Sequence, residues 1–576
     1  MSQTTPEAPM PNTGIAAAET AHERDGAMVA ADGTPLKKSL NRALRRQKTR
    51  ALLLIAPLLL FILLTFIAPI ADMLFRSVEN DIVRTTLPQT VVALGDWDAA
   101  TGEAPGEAVF EGLYYDLFVA AEAKEHTKVG TRLNYENPGI SSLFRGSGRA
   151  VGDFADDQID AFEGLDPAWE DGAFWYALMQ GEGEADTGLV AAQRDRLEEL
   201  TTDESMGSAE IGFAPGADIA AILPRTSREY TAFAIFAVAE DGDVVAEEEP
   251  WEAVYAALAA DLADPALADG IAGYDGPGAA ELAAAQAAEI TPVDYRTAFA
   301  DDDEDWLDAS VWTTVRTYSP TYTDGYFLNA VDMQNGPGGD AELRPENQRF
   351  YVQLFGRTMW MSLLITVSCI ALGYPVAWLM ANLPARSANL LMILVLLPFW
   401  TSLLVRTSAW KVLLQTQGVI NDTLVALHIV DDMGRLALIN NQTGTIIAMT
   451  HILLPFMVLP LYSVMKTIPP SYLRAAKSLG ATNFTAFRRV YFPQSVPGIG
   501  AGSILVFILS IGYYITPEIV GGTTGVFISN RIAFNISVSL NWGLAAALGS
   551  ILLVLVLALY WAYDRVVGID NVKLGG

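Results

Sequence analysis

The most strongly patterned residues of this 576-residue chain lie in Ser471–Gly498, SYLRAAKSLGATNFTAFRRVYFPQSVPG. Its skeleton is Arg474-Ala475-Ala476, then Gly480, then nine residues to Val490, then Phe492-Pro493. Pro469-Pro470-Ser471 predicts a helix stop followed by a helix start, with Ser471 as the cap. Ala475 and Ala476 are small enough for close packing, and Gly480 can take a left-handed C-terminal cap. A second short helix is expected from Thr482 to Arg489, ending before Phe492-Pro493. Such a helix–turn–helix is a knob for a partner's cleft, not a bond-breaking constellation. The chain has four His and one Cys, and no nucleophile–base pair or metal set stands out. Gly-Lys never occurs, so a G-x-x-x-x-G-K-[ST] phosphate loop is absent. No enzyme activity or cofactor is expected here.

The knob is framed by apolar runs of membrane-crossing length. Six are expected, near 51–75, 352–382, 388–412, 443–466, 497–520 and 543–563. The first is too long for a signal-peptide core, starts after fifty residues and lacks a small-residue cleavage site, so it reads as a retained helix. Cys369 lies inside an apolar run and reads as a buried small residue. With six spans, the cations crowding residues 37–50, Arg386, and Lys466, Arg474, Lys477, Arg488 and Arg489 all fall on one side. That side is the cytoplasm by the positive-inside rule. Both termini and the 471–498 loop are then cytoplasmic, in a multi-pass membrane protein. Residues 1–50 read as a disordered basic tail, in which 36–50 is either a surface helix or a topology signal. Residues 51–77 are the first helix, 351–566 the membrane domain, and 567–576 a cytoplasmic tail.

Residues 78–350 form a separate acidic block outside the membrane. Glu79 to Arg349 holds 55 of the 67 acidic and 14 of the 36 basic residues, so 14 minus 55 puts it near −41. The remainder is 22 minus 12, or +10, matching the total of −31. Apolar spacing predicts helices near 187–200, 250–263 and 279–290, and a strand near 230–238. The run Asp301-Asp302-Asp303-Glu304-Asp305 lacks the alternation and central Gly of a Ca²⁺ loop and reads as a solvated surface. One pattern recurs: Asp166-x-x-Trp169-x-Asp171-x-x-x-Trp175 matches Asp303-x-x-Trp306-x-Asp308-x-x-x-Trp312. It reads as the anchors of a repeated unit, as interfacial aromatic residues, or as coincidence.

The 474–493 skeleton resembles the EAA loop of ABC importer permeases, the loop that docks into the partner ATPase. The family pattern is Glu-Ala-Ala, three residues, Gly, nine residues, Ile-x-Leu-Pro. The spacing is kept, while Arg474 stands in place of the acid and leaves its electrostatic role open. Tyr374-Pro375-Val376-Ala377, Leu397-Pro398-Phe399-Trp400-Thr401-Ser402, Leu404-Val405-Arg406, Leu454-Pro455-Phe456 with Leu459-Pro460, and Thr516-Pro517-Glu518 with Gly521-Gly522 look like the spermidine/putrescine group. The strip 303–333 resembles an outer loop of such permeases, which would shorten the insertion to about 90–295. The resemblance covers roughly 350–566 plus the first span.

It implies an α-helical integral membrane protein of the bacterial inner membrane, with six helices of type I ABC importer permease architecture. The acidic block becomes a large extracytoplasmic α or α+β insertion between helices 1 and 2. The resemblance also implies an ABC ATPase dimer, a second permease, a periplasmic solute-binding protein and membrane lipid as partners, with no nucleic acid. Arg474, Ala475, Ala476, Gly480, Val490, Phe492 and Pro493 would carry the ATPase coupling. For a polyamine, aromatic faces and acids are wanted, and Trp400, Trp410, Tyr513, Tyr514, Glu518 and Trp542 are the candidates. Arg406 would repel a polycation unless paired. Phosphonate, opine or iron import and a membrane-anchored sensor remain as alternatives.

Overall fold

A computed structural model describes residues 36–336 and 340–567, with side chains between 45 and 565. The expected disordered stretch 1–35 and nearly all of the expected C-terminal tail lie outside the described residues. Among the described residues, five helices are long and apolar enough to cross a membrane: Arg45–Arg76, Tyr351–Asn382, Gln442–Thr467, Asn483–Gly512 and Trp542–Arg565. The first begins further upstream, at Leu36, so the basic stretch is continuous with the span instead of forming a separate surface helix.

The run expected as one span over 388–412 is instead a bent pair, Ala385–Trp400 and Leu403–Leu413, meeting at 96°. Pro398 opens a short 3₁₀ turn, and Ser402 starts the next helix by accepting the Val405 N–H at 3.2 Å. A proline followed at once by a capping serine breaks an apolar run that hydropathy reads as continuous. The run expected over 497–520 is displaced too. Its helix starts at Asn483 and ends at Gly512, and Ile515–Val520 is a separate short helix.

The membrane core packs Met361, Ile365 and Cys369 of the Tyr351–Asn382 helix against Met449, Leu453 and Met457 of Gln442–Thr467. Cys369 is fully buried, near the Thr450 carbonyl. Gly498 and Gly502 let the Asn483–Gly512 helix close on the same neighbour. A methyl group at Gly502 would sit 2.6 Å from Met457 Sδ, so backbone proximity depends on its absence.

The acidic block is helical. Thr187–Thr201, Glu252–Ala263 and Ala279–Ala287 occupy the expected places. The strand expected at 230–238 is part of the Pro224–Phe236 helix. Pro224 starts that helix, and ten of its residues are buried, so no polar face was left to reveal the helical period.

The Asp–Trp pattern is a true structural repeat. In both copies the first Asp accepts an N–H two residues on, from Ala168 at 2.9 Å and from Asp305 at 3.1 Å. The second Asp caps the following helix through Ala173 or Ser310. Trp175 Nε1 donates to the Trp169 carbonyl at 2.8 Å, and Trp312 Nε1 to Trp306 at 2.7 Å. All four indoles are fully buried, which excludes an interfacial role. The duplication extends further. Leu87-Pro88-x-Thr90 matches Leu223-Pro224-x-Thr226, and Glu107-Ala-Val-Phe110 through Asp116 matches Glu252-Ala-Val-Tyr255 through Asp261. Asp116 Oδ2 accepts both the N–H and hydroxyl of Thr90 at 2.8 Å; Asp261 Oδ2 does the same for Thr226 at 2.9 and 2.8 Å. Burial pushes the Asp116 carboxyl up to about 6, against the opposing pull of Arg196 and Thr90.

The copies interlock. Phe110 of the first lies 4.8 Å from Trp312 of the second, and Tyr255 of the second 5.1 Å from Trp175 of the first. Each hydrophobic core therefore takes its helix pair from one copy and its indole pair from the other. The block also closes on itself. Glu79 bridges Tyr322, Asn80 N–H donates to the Thr321 carbonyl at 2.8 Å, and Thr323 N–H donates to Val78. Boundaries at 90–295 would cut through a shared core, since Trp306 and Trp312 pack with Phe110 and Phe144. The compact module runs from about 80 to 320.

Candidate functional site

The coupling skeleton folds as an elbow. Pro470–Ser478 is a helix whose first residue is Pro470 and whose cap position is Pro469, so Ser471 lies inside the helix and does not cap it. Proline suits that place because its missing N–H would have no partner there anyway. At the other end Gly480 has φ +88°. Its N–H donates to the Lys477 carbonyl at 3.0 Å, and Ala481 N–H donates to Ala476 at 3.1 Å, the paired bonds of a Schellman cap. Thr482 then caps Asn483–Ala486, accepting the Thr485 N–H at 3.2 Å.

The second helix does not stop at Phe492-Pro493. It passes through a π-turn, Phe487–Tyr491, directly into the apolar helix, with Pro493 in its first turn. The wider turn lets Phe492 N–H reach back to Phe487 and accommodates the donor that Pro493 lacks. Tyr374 anchors this junction to the neighbouring span, with its hydroxyl 2.9 Å from Ser495 Oγ and its ring near Phe487 and Phe492. Ala476 and Val490 are half-buried, while Arg474, Ala475, Phe492 and Pro493 are exposed. Leu479 at 89% and Phe484 at 70% are the most exposed apolar side chains of the elbow. The elbow thus exposes apolar Leu479 and Phe484 on a segment that also exposes Arg474, Lys477, Arg488 and Arg489.

The six candidate path residues do not form one site. Trp410 Nε1 donates to His451 Nδ1 at 3.1 Å, with the rings edge-on at 5.2 Å. That bond requires an unprotonated Nδ1, which places the proton of a neutral imidazole on Nε2. Arg406 lies within electrostatic reach of both His451 and Tyr513. Its Nη2 donates to the Thr401 carbonyl at 3.1 Å, while its buried Nε finds no acceptor among the described residues. Thr407 and Thr516 share a hydroxyl contact of 3.1 Å that ties this half to the Ile515–Val520 turn. There Glu518 accepts from Asn530 Nδ2 at 2.6 Å, and Tyr514 supplies its carbonyl to the same amide. Trp400 and Trp542 are 71% and 50% exposed and join neither group. Sequence reasoning missed His451 and Asn530; an imidazole inside an otherwise apolar span was the available sign.

A joint ties the acidic module to this membrane domain. Tyr135 hydroxyl donates to the Ser539 carbonyl at 2.5 Å. Glu136 pairs with both Arg132, at 3.3 Å, and Arg344. Asp332 receives the N–H groups of Phe350, Tyr351 and Val352, capping the Tyr351–Asn382 helix.

Residues 373–567 match the family described as binding-protein-dependent transport system inner membrane component. The spermidine/putrescine transport system permease protein PotB of Escherichia coli K12 is 35% identical over 218 residues, covering 37% of this chain and 78% of that protein. The inner membrane ABC transporter permease protein YdcU of the same strain is 34% identical over 222 residues, covering 37% and 70%. Among solved structures, a bacterial ABC transporter for the acidic polysaccharide alginate aligns with TM-score 0.33 and 17% identity, over 39% of this chain and 80% of that one. The alignment to PotB spans more than two thirds of a relative well above 30% identity. The chain belongs to the ABC importer permeases, in the spermidine/putrescine group.

Proposed function

We propose that this chain is the membrane-embedded half-channel of an ATP-driven importer that carries polyamines inward by alternating access. It pairs with a second permease, receives substrate from an extracytoplasmic binding protein, and is driven by an ATPase dimer. The 470–493 elbow faces the cytoplasm and seats its exposed Leu479 and Phe484 in the ATPase. In it Ala475, Ala476 and Gly480 supply shape, Val490, Phe492 and Pro493 join the knob to the spans, and Arg474 pairs with an acid on the ATPase. The acidic module faces outward, and the bent pair at 385–413 counts as one span, giving six and leaving both termini inside. The observation that carries this reading is the Schellman-capped elbow at Gly480, placed where the EAA spacing puts the docking loop.

Trp410 and Tyr513 offer ring faces to an ammonium group, and Glu518 offers charge. A second reading, import of an anion, is favoured by one feature, the Arg406 guanidinium, which lies within electrostatic reach of His451 and whose buried Nε finds no acceptor among the described residues. The discriminating experiment reconstitutes the chain with its cognate ATPase, second permease and binding protein, and measures ATP hydrolysis. Stimulation by spermidine and not by phosphonate supports the polyamine reading. The reverse pattern replaces it with the anion reading.

A further inference from the structure

The limb Leu403–Leu413 leaves the preceding helix at 96°. Among the described residues, two hydrogen-bonding contacts fasten it to other elements, one helical turn apart. Thr407 meets Thr516 hydroxyl to hydroxyl at 3.1 Å, and Trp410 Nε1 donates to His451 Nδ1 at 3.1 Å. On the opposite face Val405 and Val412 are 62% and 56% exposed, so little else holds the limb down. The two fastenings differ in kind. Thr407 spends its own proton on the Leu403 carbonyl at 2.9 Å, so Thr516 donates to it, and neither hydroxyl titrates. The indole–imidazole bond, in contrast, has an acceptor that a proton can remove.

An imidazolium has two donors and no acceptor, and an indole N–H can only donate. A proton on His451 Nδ1 and the bond from Trp410 are therefore mutually exclusive. The surroundings supply nothing to compensate that proton. Arg406, on the limb itself, is the charged group that acts on His451, and no carboxylate does so among the described residues. Of the other ionisable groups on elements packed against this helix, Lys411 is exposed and Cys369 is turned to the Thr450 carbonyl. Tyr374 is bonded to Ser495, Tyr513 lies within reach of Arg406, and Glu518 is held by Asn530.

We propose that His451 is a positioning residue that acts through Trp410. Neutral, it latches the bent limb; protonated, it releases the limb and takes Trp410 out of the transport path. The latch stands on this geometry alone, and its bearing on uptake rests on the importer reading above. Only the released state takes up the second proton, near the ordinary imidazole value of about 6.5. The latch therefore holds at high pH and is lost as pH falls. Linkage makes the ratio of released to latched chains about 30-fold larger at pH 5 than at pH 8.

The test is labelling by a water-soluble maleimide of the full chain in phosphatidylcholine nanodiscs, without ATPase, binding protein or spermidine. Leu414, at the end of the limb, is fully buried. Leu414→Cys combined with Cys369→Ala makes that position the single thiol of the chain. Rates are divided by those of the same chain in denaturant at each pH, which removes the titration of the thiol itself. In this background labelling is expected to run about 30-fold faster at pH 5 than at pH 8. His451→Gln keeps an acceptor for the indole that takes up no proton in this range, so it should be slow at both. His451→Phe and Trp410→Phe each lack one half of the bond and should be fast at both. Gel filtration verifies folding, and Trp410→Phe decides if His451→Phe misfolds. A pH response that survives in His451→Gln overturns the proposal, as does slow labelling of Trp410→Phe at pH 8. ATP-driven spermidine uptake by the assembled importer is measured separately. Uptake without a pH response in labelling sinks the latch alone, whereas that response in a chain whose importer moves no spermidine sinks the transport reading alone.

Discussion

Gly480 offers a clean separation of backbone conformation from volume. Its φ of +88° is one that L side chains rarely adopt, yet a Cβ built there meets nothing within 4 Å. Any penalty is therefore conformational and not a clash. Alanine in the left-handed region costs about 1–2 kcal/mol, whereas asparagine visits it readily. A β-branched valine is worse, roughly 2–3 kcal/mol. If the cap opens, the bonds from Gly480 to Lys477 and from Ala481 to Ala476 are lost too, at about 1 kcal/mol each. Those bonds favour the capped state in both forms, so the strain alone sets the change: Gly480→Val should depopulate the elbow by roughly 30-fold to 150-fold, at 1.4 kcal/mol per tenfold. The assay is co-purification of the ATPase with tagged permease, read beside ATP-driven uptake. The expected order is Gly and Asn near equal, Ala weaker, Val negligible, with membrane insertion unchanged in all. Full ATPase capture by Gly480→Val would refute the reasoning. If Asn fails as badly as Val, side-chain volume at the interface is decisive and the left-handed cap is not.

The joint around Glu136 gives a stability prediction. Arg132, Glu136 and Arg344 have side chains only 3%, 5% and 6% exposed. Glu136→Gln strands two buried cations, and breaking such a pair costs about 3–5 kcal/mol; a thermal midpoint in detergent equal to that of the wild type would contradict it. Asp116 gives a pH prediction. Its carboxyl, raised from 3.8 to about 6, binds its proton more tightly in the folded chain. That contribution is fully present below about pH 4 and is lost as pH rises through 6, amounting to about 3 kcal/mol. Asp116→Asn should flatten the stability slope between pH 4 and 7, and an unaltered slope in the variant would count against this assignment. Removing 81–320 and joining Asn80 to Thr321 through two glycines should leave membrane insertion intact, because that backbone pair already meets at 2.8 Å. Removing only 90–295 should produce aggregation, since it leaves Trp306 and Trp312 without the core that buries them; protease sensitivity and gel filtration distinguish the two.

Much of the architecture was legible in the residues. Hydropathy located four of the five long apolar helices closely, and displaced the fifth, Asn483–Gly512, because its polar first turns carry no hydropathy signal. It did not reveal the 96° bend inside 388–412, because Pro398 and Ser402 bend a run without interrupting its hydropathy. Gly480 and Thr482 act as read, whereas Ser471 was displaced as a cap by the proline before it. The repeat was visible at Asp166 and Asp303, where cap and indole recur at fixed spacing. Its interlocking was not, because Phe110 meets Trp312 across two hundred residues and nothing local marks that pairing. The substrate candidates were the weakest part. An aromatic residue at a span end looks the same whether it is left exposed, as Trp400 is, or donates to His451, as Trp410 does.

The most direct test of the account is ATP-dependent accumulation of radiolabelled spermidine in proteoliposomes holding this chain, its cognate ATPase and second permease, with binding protein on the substrate side. The account predicts accumulation that requires ATP and disappears in Gly480→Val. Robust ATP hydrolysis coupled to another solute, with no spermidine accumulated, would contradict it.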